Sequence, residues 1–218
     1  MDTSFGLEAP HTPVGEFRAL IGGSSAFWGT KRVFDLVVSL ALMVFLVPFA
    51  VALVLLNPWF NPGPLIYPQQ RMGRDLKPFT AYKFRSMLPA ATITRSADDP
   101  IEVEWITGLG LFIRKMRIDE LPQILNVLKG EMSLIGPRPD YYEHAREFVA
   151  LIPEYSARHL VRPGISGFAQ VTLVYAQGVD ATRAKAHADL AYIRNASVAL
   201  EARIFWLTLM TVILRRGA

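Results

Sequence analysis

Between Asp35 and Arg71 the chain carries no charged residue, and Val33–Leu56, which overlaps that interval, is almost wholly apolar. As a helix this run would be about 36 Å long at ~1.5 Å per residue, enough to cross a hydrocarbon core of about 30 Å. Two features constrain how it lies. Pro48, inside the run, removes a backbone donor and kinks a helix. Basic residues flank both ends, Lys31 and Arg32 before it and Arg71, Arg74, Lys77, Lys83 and Arg85 after it. Positive charge favours the cytoplasmic side, so both ends belong on one side. A helix broken at Pro48 that enters and returns through one leaflet satisfies both facts. An ordinary spanning helix with a proline kink is the alternative.

Asn57–Tyr67 interleaves Pro58, Pro62, Gly63 and Pro64 with Trp59, Phe60 and Tyr67, which suits a segment at a membrane interface better than a plain loop. Residues 1–30 hold Pro10, Pro13, Gly15, Gly22 and Gly23 without sustained periodicity. They read as a disordered or weakly structured tail with a short helix around Phe17–Ile21. They are not a signal peptide, because the apolar run starts too late and no small-residue cleavage site follows.

Composition narrows the chemistry. The 218 residues allow one sizeable domain plus a membrane element. Lys and Arg outnumber Asp and Glu by 23 to 19, a balance that suits anionic lipid or phosphorylated substrates better than nucleic acid. The absence of cysteine excludes disulfides, thiolate metal sites and thiol nucleophiles. The histidines, His11, His144, His159 and His187, show no pair at metal-ligand spacing. Carboxylates and cations are left to do the work.

The fold class expected is α+β: residues 31–68 form the membrane helix and interfacial segment, and 69–218 a small mixed cytoplasmic domain. Phe79–Phe84 reads as a strand and Leu111–Met116 as a helical piece. Leu121–Leu128 is a helix with Gly130 as its stop, and Asp140 caps a helix reaching Ile152, closed by Pro153. Ile165–Val174 is loop or strand, and Asp180–Asn195 helix. Ile204–Leu214, followed by Arg215 and Arg216, is too short to span; it is an interfacial helix or a core helix of the globular part.

The stretch richest in chemistry is Arg114-Lys115-Met116-Arg117-Ile118-Asp119-Glu120-Leu121-Pro122-Gln123. Asp119 and Glu120 precede an apolar-periodic helix, where free backbone N–H groups and the helix dipole keep a carboxylate ionised. An ionised aspartate can attack phosphorus while its neighbour holds Mg²⁺. Equally, an isolated Asp-Glu pair can be a helix cap and a surface residue. Its company favours chemistry. Arg114 and Arg117 lie within about a turn, and Pro137-Arg138-Pro139 after Gly136 presents a guanidinium on a stiff backbone, suited to a bidentate phosphate contact. Lys83, Arg85 and Arg162 add cations on turns or strand edges. No P-loop, nucleophile elbow or zinc motif is present.

Taken in order, these segments resemble the bacterial sugar transferase family of monotopic phosphoglycosyl transferases. The resemblance starts at Lys31-Arg32-Val33-Phe34-Asp35 and continues through Pro62-Gly63-Pro64, Gln70-Arg71-Met72-Gly73-Arg74 and Tyr82-Lys83-Phe84-Arg85-Ser86-Met87. Its core is Asp119-Glu120-Leu121-Pro122-Gln123 with Gly136-Pro137-Arg138-Pro139, and it closes with Arg162-Pro163-Gly164-Ile165-Ser166-Gly167. It implies that Asp119 is the nucleophile of a phosphosugar–enzyme intermediate, with release of a nucleoside monophosphate such as UMP. Glu120 would bind Mg²⁺, Arg114 would hold substrate phosphate, and Pro137, Arg138 and Pro139 would contact nucleotide or phosphate. Polyprenyl phosphate would take the phosphosugar in a second step. The resemblance also implies a re-entrant helix broken at Pro48, although Val47 stands where the family often has serine. A minimal form is expected, without the N-terminal membrane bundle of larger relatives, facing the cytoplasm from the bacterial inner membrane. Membrane lipid is an expected partner, a homodimer is left open, and nucleic acid is not expected.

An enzyme that starts exopolysaccharide or glycoconjugate assembly is the leading reading. A catalytically idle membrane scaffold and a hydrolase using the same intermediate are the others. A scaffold has no need of the Asp119, Glu120, Arg114 and Arg138 set. Contacts to the sugar are expected in Ala90–Glu104 and Val174–Arg183.

Overall fold

The long helix starts earlier than the apolar run does. In the computed structural model, which describes residues 14–88, 105–173 and 178–214, helix α1 spans Ser25–Phe60. Ser24 caps it, its hydroxyl accepting from Phe27 N at 3.1 Å. Residues 25–30, assigned to the tail from sequence, are therefore helical. The reason is packing: Trp28 is half-buried, donates to Gly22 O at 3.0 Å, and sits against the core that also takes Phe17 and Ile21. Gly22 N in turn donates to Ile193 O at 2.9 Å. The short helix expected near Phe17–Ile21 is a 3-10 helix over Val14–Leu20. Residues 1–13 lie outside the described set.

At its other end α1 continues through Pro48 and Pro58 to Asn61, so part of the expected interfacial segment is helix. Only 17% of its most apolar 18-residue window is buried, which is unlike the core helix of a soluble domain. One face carries Lys31, Asp35, Ser39, Leu46, Leu53 and Asn57 inward, while Val33, Val37, Leu40, Val44, Val47 and Leu55 point out. By length and composition the helix can cross a membrane.

The rest is a small mixed unit. Strands β1 (Ile66–Met72) and β2 (Pro78–Phe84) form an antiparallel hairpin, with Ile66 opposite Phe84 and Met72 opposite Pro78. Helix α2 (Gly108–Lys115) leads into a 3-10 helix over Ile118–Gln123 and then α3 (Ile124–Lys129). The expected helix at 121–128 is thus two pieces, and Gly130 stops the second with a left-handed φ of 88°. β3 (Ser133–Ile135) pairs in parallel with β4 (Gly164–Ser166). Between them lie α4 (Tyr142–Leu151) and a 3-10 helix over Pro153–Leu160.

Of Ile165–Val174, expected as loop or strand, Ile165 and Ser166 end β4, while Phe168–Thr172 form helix α5. Helices α6 (Val179–Arg194) and α7 (Val198–Ile213) close the described chain. α7 covers most of the C-terminal apolar run. Ile204 is fully buried, while Phe205, Trp206 and Ile213 are exposed. Arg215 and Arg216 lie outside the described residues.

Charged residues fasten α1 to this unit. Lys31 pairs with Glu201 at 2.7 Å, and Asp35 accepts from Ser133 Oγ at 2.7 Å and Leu134 N at 3.1 Å. At the far end Asn61 donates to Arg85 O at 2.7 Å. The α2 start is equally tight. Thr107 caps it through Gly110 N at 3.0 Å, and a Cβ on Gly110 would fall 1.9 Å from Ser86 O. Gly110→Ala is therefore expected to lower stability by about 3 kcal/mol, because the helix and the backbone just after β2 would have to part. Gly108 has nothing within 4 Å of such a Cβ. Gly108→Ala should be neutral or stabilise by up to ~1 kcal/mol. Thermal melts of the two variants decide whether the close approach at Gly110 matters.

Candidate active site

Asp119 and Glu120 occupy the first turn of the 3-10 helix that follows α2. Arg117 enters it in the left-handed region, φ 56° and ψ 17°, a conformation uncommon for a side-chain-bearing residue and typical of strained functional segments. Neither acid behaves as a surface or cap residue. Both are buried, at 8% and 5% exposure, and no side-chain bond caps this helix.

Glu120 is clasped from three sides. Lys83, from β2, reaches its Oε1 at 2.9 Å. Arg138 engages both oxygens, Nη1 lying 3.2 Å from Oε2 and Nη2 against Oε1, while Arg117 stands 3.6 Å from Oε2. Burial alone would raise this carboxyl, but Arg138 and Lys83 outweigh it and hold Glu120 well below the usual range. Lys83 is lowered to about 8 by its own burial, with Glu120 opposing.

Asp119 is different. Its Oδ1 is buried without a hydrogen-bond partner among the described residues, and burial, with Glu120 adding, raises the carboxyl to about 6. Lys83, Arg114 and Arg138 pull the other way. Asp119 is thus a poorly solvated carboxylate, open at Oδ1, in a cationic setting. Such a group could act as a nucleophile or as a metal ligand.

Arg138 is aimed by its neighbours. Pro137 O accepts from Gly164 N at 2.9 Å, Pro139 O from Arg71 Nη1 at 3.0 Å, and Arg138 O from Arg158 Nη2 at 2.7 Å. Arg158 also binds Asp189 at 2.7 Å and Asp140, and Asp140 accepts from Tyr155 Oη at 2.7 Å. Asp140, expected as a helix cap, is therefore the anchor of Arg158, and α4 starts at Tyr142, with Tyr141 in the N-cap position and no side-chain cap bond. Lys83 is aimed through Asn126, fully buried, which accepts from Tyr82 N at 3.2 Å and donates to Thr80 O at 2.7 Å.

Of the residues singled out from sequence, Asp119, Glu120, Lys83 and Arg138 converge, and Arg114 lies near enough for its charge to act on Asp119. Two do not join them. Arg85 is buried and donates to Pro64 O at 2.7 Å, Met87 O at 2.9 Å and Asn61 O, so it clasps the turn after α1. Arg162 donates from Nε to Gly130 O at 2.8 Å, beside Arg32 and Arg74. Both sit in Arg-containing motifs, but which way an arginine turns is not written in its motif. Arg158 and Asp189 carried no local signal at all, and Asn126 stood out only as part of the segment Asn126–Gly130 within the family resemblance. The expected sugar-contacting stretches Ala90–Glu104 and residues 174–177 lie outside the described set.

Among the described residues no cluster of three or more acids or histidines could cage a metal ion. His159, buried and lowered to about 3 by that burial, faces Gly73 O at 3.1 Å and is structural. The donor set does fit Mg²⁺, which is commonly held by one or two carboxylates with substrate phosphate and water completing the shell. The partnerless Asp119 Oδ1 marks the open side, and Glu120 would join by releasing one of its cations.

The profile of the family described as bacterial sugar transferase matches residues 26–215. A UDP-N-acetylgalactosamine-undecaprenyl-phosphate N-acetylgalactosaminephosphotransferase of Aeromonas hydrophila is 41% identical over 193 residues, 86% of this chain and 44% of that protein. A UDP-glucose:undecaprenyl-phosphate glucose-1-phosphate transferase of Klebsiella pneumoniae is 34% identical, over 86% of this chain and 41% of its own length. The chain thus spans less than half of each. An exopolysaccharide production protein, PSS, of Rhizobium leguminosarum bv. phaseoli is 37% identical over 85% of this chain and 96% of its own.

Proposed function

The chain belongs to the bacterial sugar transferase family, and from that premise we propose that it transfers a sugar-1-phosphate from a UDP-sugar to polyprenyl phosphate. The observation that carries this is the Asp119 carboxylate, buried, partnerless at Oδ1 and ringed by cations. In the first step an Asp119 oxygen attacks the phosphorus bonded to the sugar. The bond from that phosphorus to the UMP oxygen breaks, and UMP leaves with the electron pair. In the second step an oxygen of polyprenyl phosphate attacks the same phosphorus, Asp119 departs as carboxylate, and polyprenyl diphosphate-sugar forms.

Lys83, Arg114 and Arg138 supply positive charge for the diphosphate, and the stiff Pro137–Pro139 turn holds Arg138 in place. Glu120, with Asp119 Oδ1 beside it, would hold Mg²⁺, whose chemistry is to screen the diphosphate and stabilise the leaving oxygen. Detergent-solubilised protein given Mg²⁺, polyprenyl phosphate and a panel of UDP-sugars is expected to release UMP and form labelled polyprenyl diphosphate-sugar. Chelation should cut the rate by more than about 100-fold. Free sugar phosphate in place of the lipid product would make the protein a hydrolase, and no UMP from any sugar would overturn the proposal.

The membrane reading is that α1 re-enters the cytoplasmic side of the inner membrane. What supports it is the anchoring of both its ends on one unit, through Lys31 and Asp35 at the start and Asn61 at the finish. A straight helix of this length would measure about 54 Å, against about 40 Å for a globular unit of ~150 residues. A bend at Pro48 reconciles the two. The outward residues of α1, with Phe112 of α2 and Trp206 of α7, would meet lipid. The chain has no cysteine, so single cysteines report cleanly. Gly29→Cys and Pro62→Cys should both react with an impermeant maleimide from the cytoplasmic face; reaction from opposite faces would mean α1 crosses.

A further inference from the structure

A second cationic cleft lies away from Asp119. It has a volume of about 190 Å³ and is lined by Trp28, Arg32, Arg74, Ser133 and Arg162 among others. Ser133 opens β3 and Arg138 follows its other end, so the cleft and the active site stand at opposite ends of this strand.

Its charge is unbalanced. Lys31 and Asp35, also on its wall, are spent on each other and on Glu201, Ser133 Oγ and Leu134 N. Arg32 donates to Val127 O at 2.8 Å and Leu128 O at 3.3 Å and meets no carboxylate among the described residues. Arg74 is half-exposed, and only its Nε meets Asp75, at 3.2 Å. Arg162 uses Nε on Gly130 O, and its two terminal nitrogens have no partner among the described residues. Burial lowers Arg162, and Arg74 and Arg32 push it the same way. Among the described lining residues, three arginines border a cleft whose one acid, Asp35, is already engaged.

The position of the cleft identifies its occupant. Immediately after Arg32 the exposed apolar face of α1 begins, with Val33, Phe34 and Val37 at 61%, 47% and 60% exposure. Trp28, a residue that favours the water–lipid boundary, lines the cleft one turn earlier. The mouth is therefore at the depth where phosphate headgroups lie if α1 sits in the bilayer. We propose that this cleft is a phosphate-binding site, separate from the active site, that takes the headgroup of an anionic phospholipid. The proposal rests on the membrane seat of α1 and not on transfer chemistry, so a loss of turnover and a loss of lipid binding are distinguishable failures.

The test uses the full chain in a neutral detergent, titrated with short-chain phosphatidylglycerol, short-chain phosphatidylcholine and inorganic phosphate, and read by thermal stabilisation. Phosphatidylglycerol should stabilise the parent protein saturably, and phosphatidylcholine should not. Arg162→Gln and Arg74→Gln should each raise the half-saturating concentration about ten-fold, more than the ~5-fold expected of a cation merely near an anionic surface. Arg74 is half-exposed, so its variant keeps the test independent of folding. Arg162→Lys should fail nearly as badly as Arg162→Gln, because lysine restores charge without the fork. Arg146→Gln, an exposed arginine on α4, should stay within about two-fold. Stabilisation by inorganic phosphate alone, lost in the same variants, would overturn the lipid as occupant. A phosphatidylglycerol response shared by all variants, or absent from the parent protein, would overturn the site.

Discussion

Asp119→Asn is expected to reduce sugar-1-phosphate transfer by about four orders of magnitude or more, while producing a protein that melts higher than its parent above pH 6. The first half follows from the proposed mechanism: an amide is no nucleophile toward phosphorus, so the variant would forfeit the proposed covalent route. The second half follows from the energetics of a buried, partnerless carboxylate. Burial raises Asp119 from its ordinary 3.8 to about 6. Because the folded-state value is raised, both folded and unfolded chains are protonated below about pH 4, and Asp119 then contributes no difference. As the pH climbs, the unfolded chain ionises first, and above about 6 the folded protein carries the full cost of the buried charge. A two-unit shift corresponds to about 3 kcal/mol at most.

Without divalent ions, then, the Asn variant should gain stability as pH rises from about 4 to 6 and hold that gain above it. Mg²⁺ should narrow the difference by stabilising the parent through its ionised Asp119. Melting curves at a series of pH values, beside a UMP-release assay, test both halves at once. Full turnover by the variant would remove Asp119 from the mechanism. Equal melting temperatures across the range would mean that the carboxylate is solvated and not held in reserve.

The second large effect is expected far from the reacting atoms. Arg158→Leu should lower stability by about 3–5 kcal/mol, roughly 10 °C or more in melting temperature. The Arg158 side chain is 2% exposed and joins Asp189, Asp140, the Tyr155 hydroxyl and the carbonyl of Arg138. Leucine fills much of the volume but leaves two carboxylates facing each other without their cation. Asp140 is held far below its usual range by Arg158 against the cost of burial, and it would lose that support. Asp189 is already raised to about 6 by burial despite Arg158, and would rise further. The triple variant Arg158→Leu, Asp140→Asn, Asp189→Asn should recover most of the loss, because the damage is uncompensated charge and not lost packing. The Arg138 carbonyl would remain unheld in both proteins. Transfer activity should therefore stay depressed in the rescued triple variant even where stability returns. Wild-type melting in Arg158→Leu alone would show that the network contributes nothing.

The elements read from sequence were those whose cause is local. Phe79–Phe84 alternates as a strand should, Gly130 takes the left-handed φ that ends α3, and Asp180–Asn195 matches α6 to within a residue. The misreadings have long-range causes. Residues 25–30 are helical because Trp28 finds a core built partly from α6, and Asp140 abandons its cap because Arg158 claims it. Ile165–Val174, expected as loop or strand, starts in β4 but then forms α5, which packs on α6.

What the amino-acid sequence determined by itself is the apolar span with its flanking cations, the Asp119-Glu120 pair and the stiff turn around Arg138. Each is set by residues adjacent in the chain, through hydrophobicity, backbone restriction and charge. Tertiary structure alone decided the partners. It brought Lys83 and Arg138 to Glu120, left Asp119 Oδ1 without a donor, locked Arg85 under α1, and sent Arg162 to the opposite end of β3. An arginine carries its charge wherever it lies, but that charge becomes a clasp, a catalyst or a lipid site only through which groups share its burial.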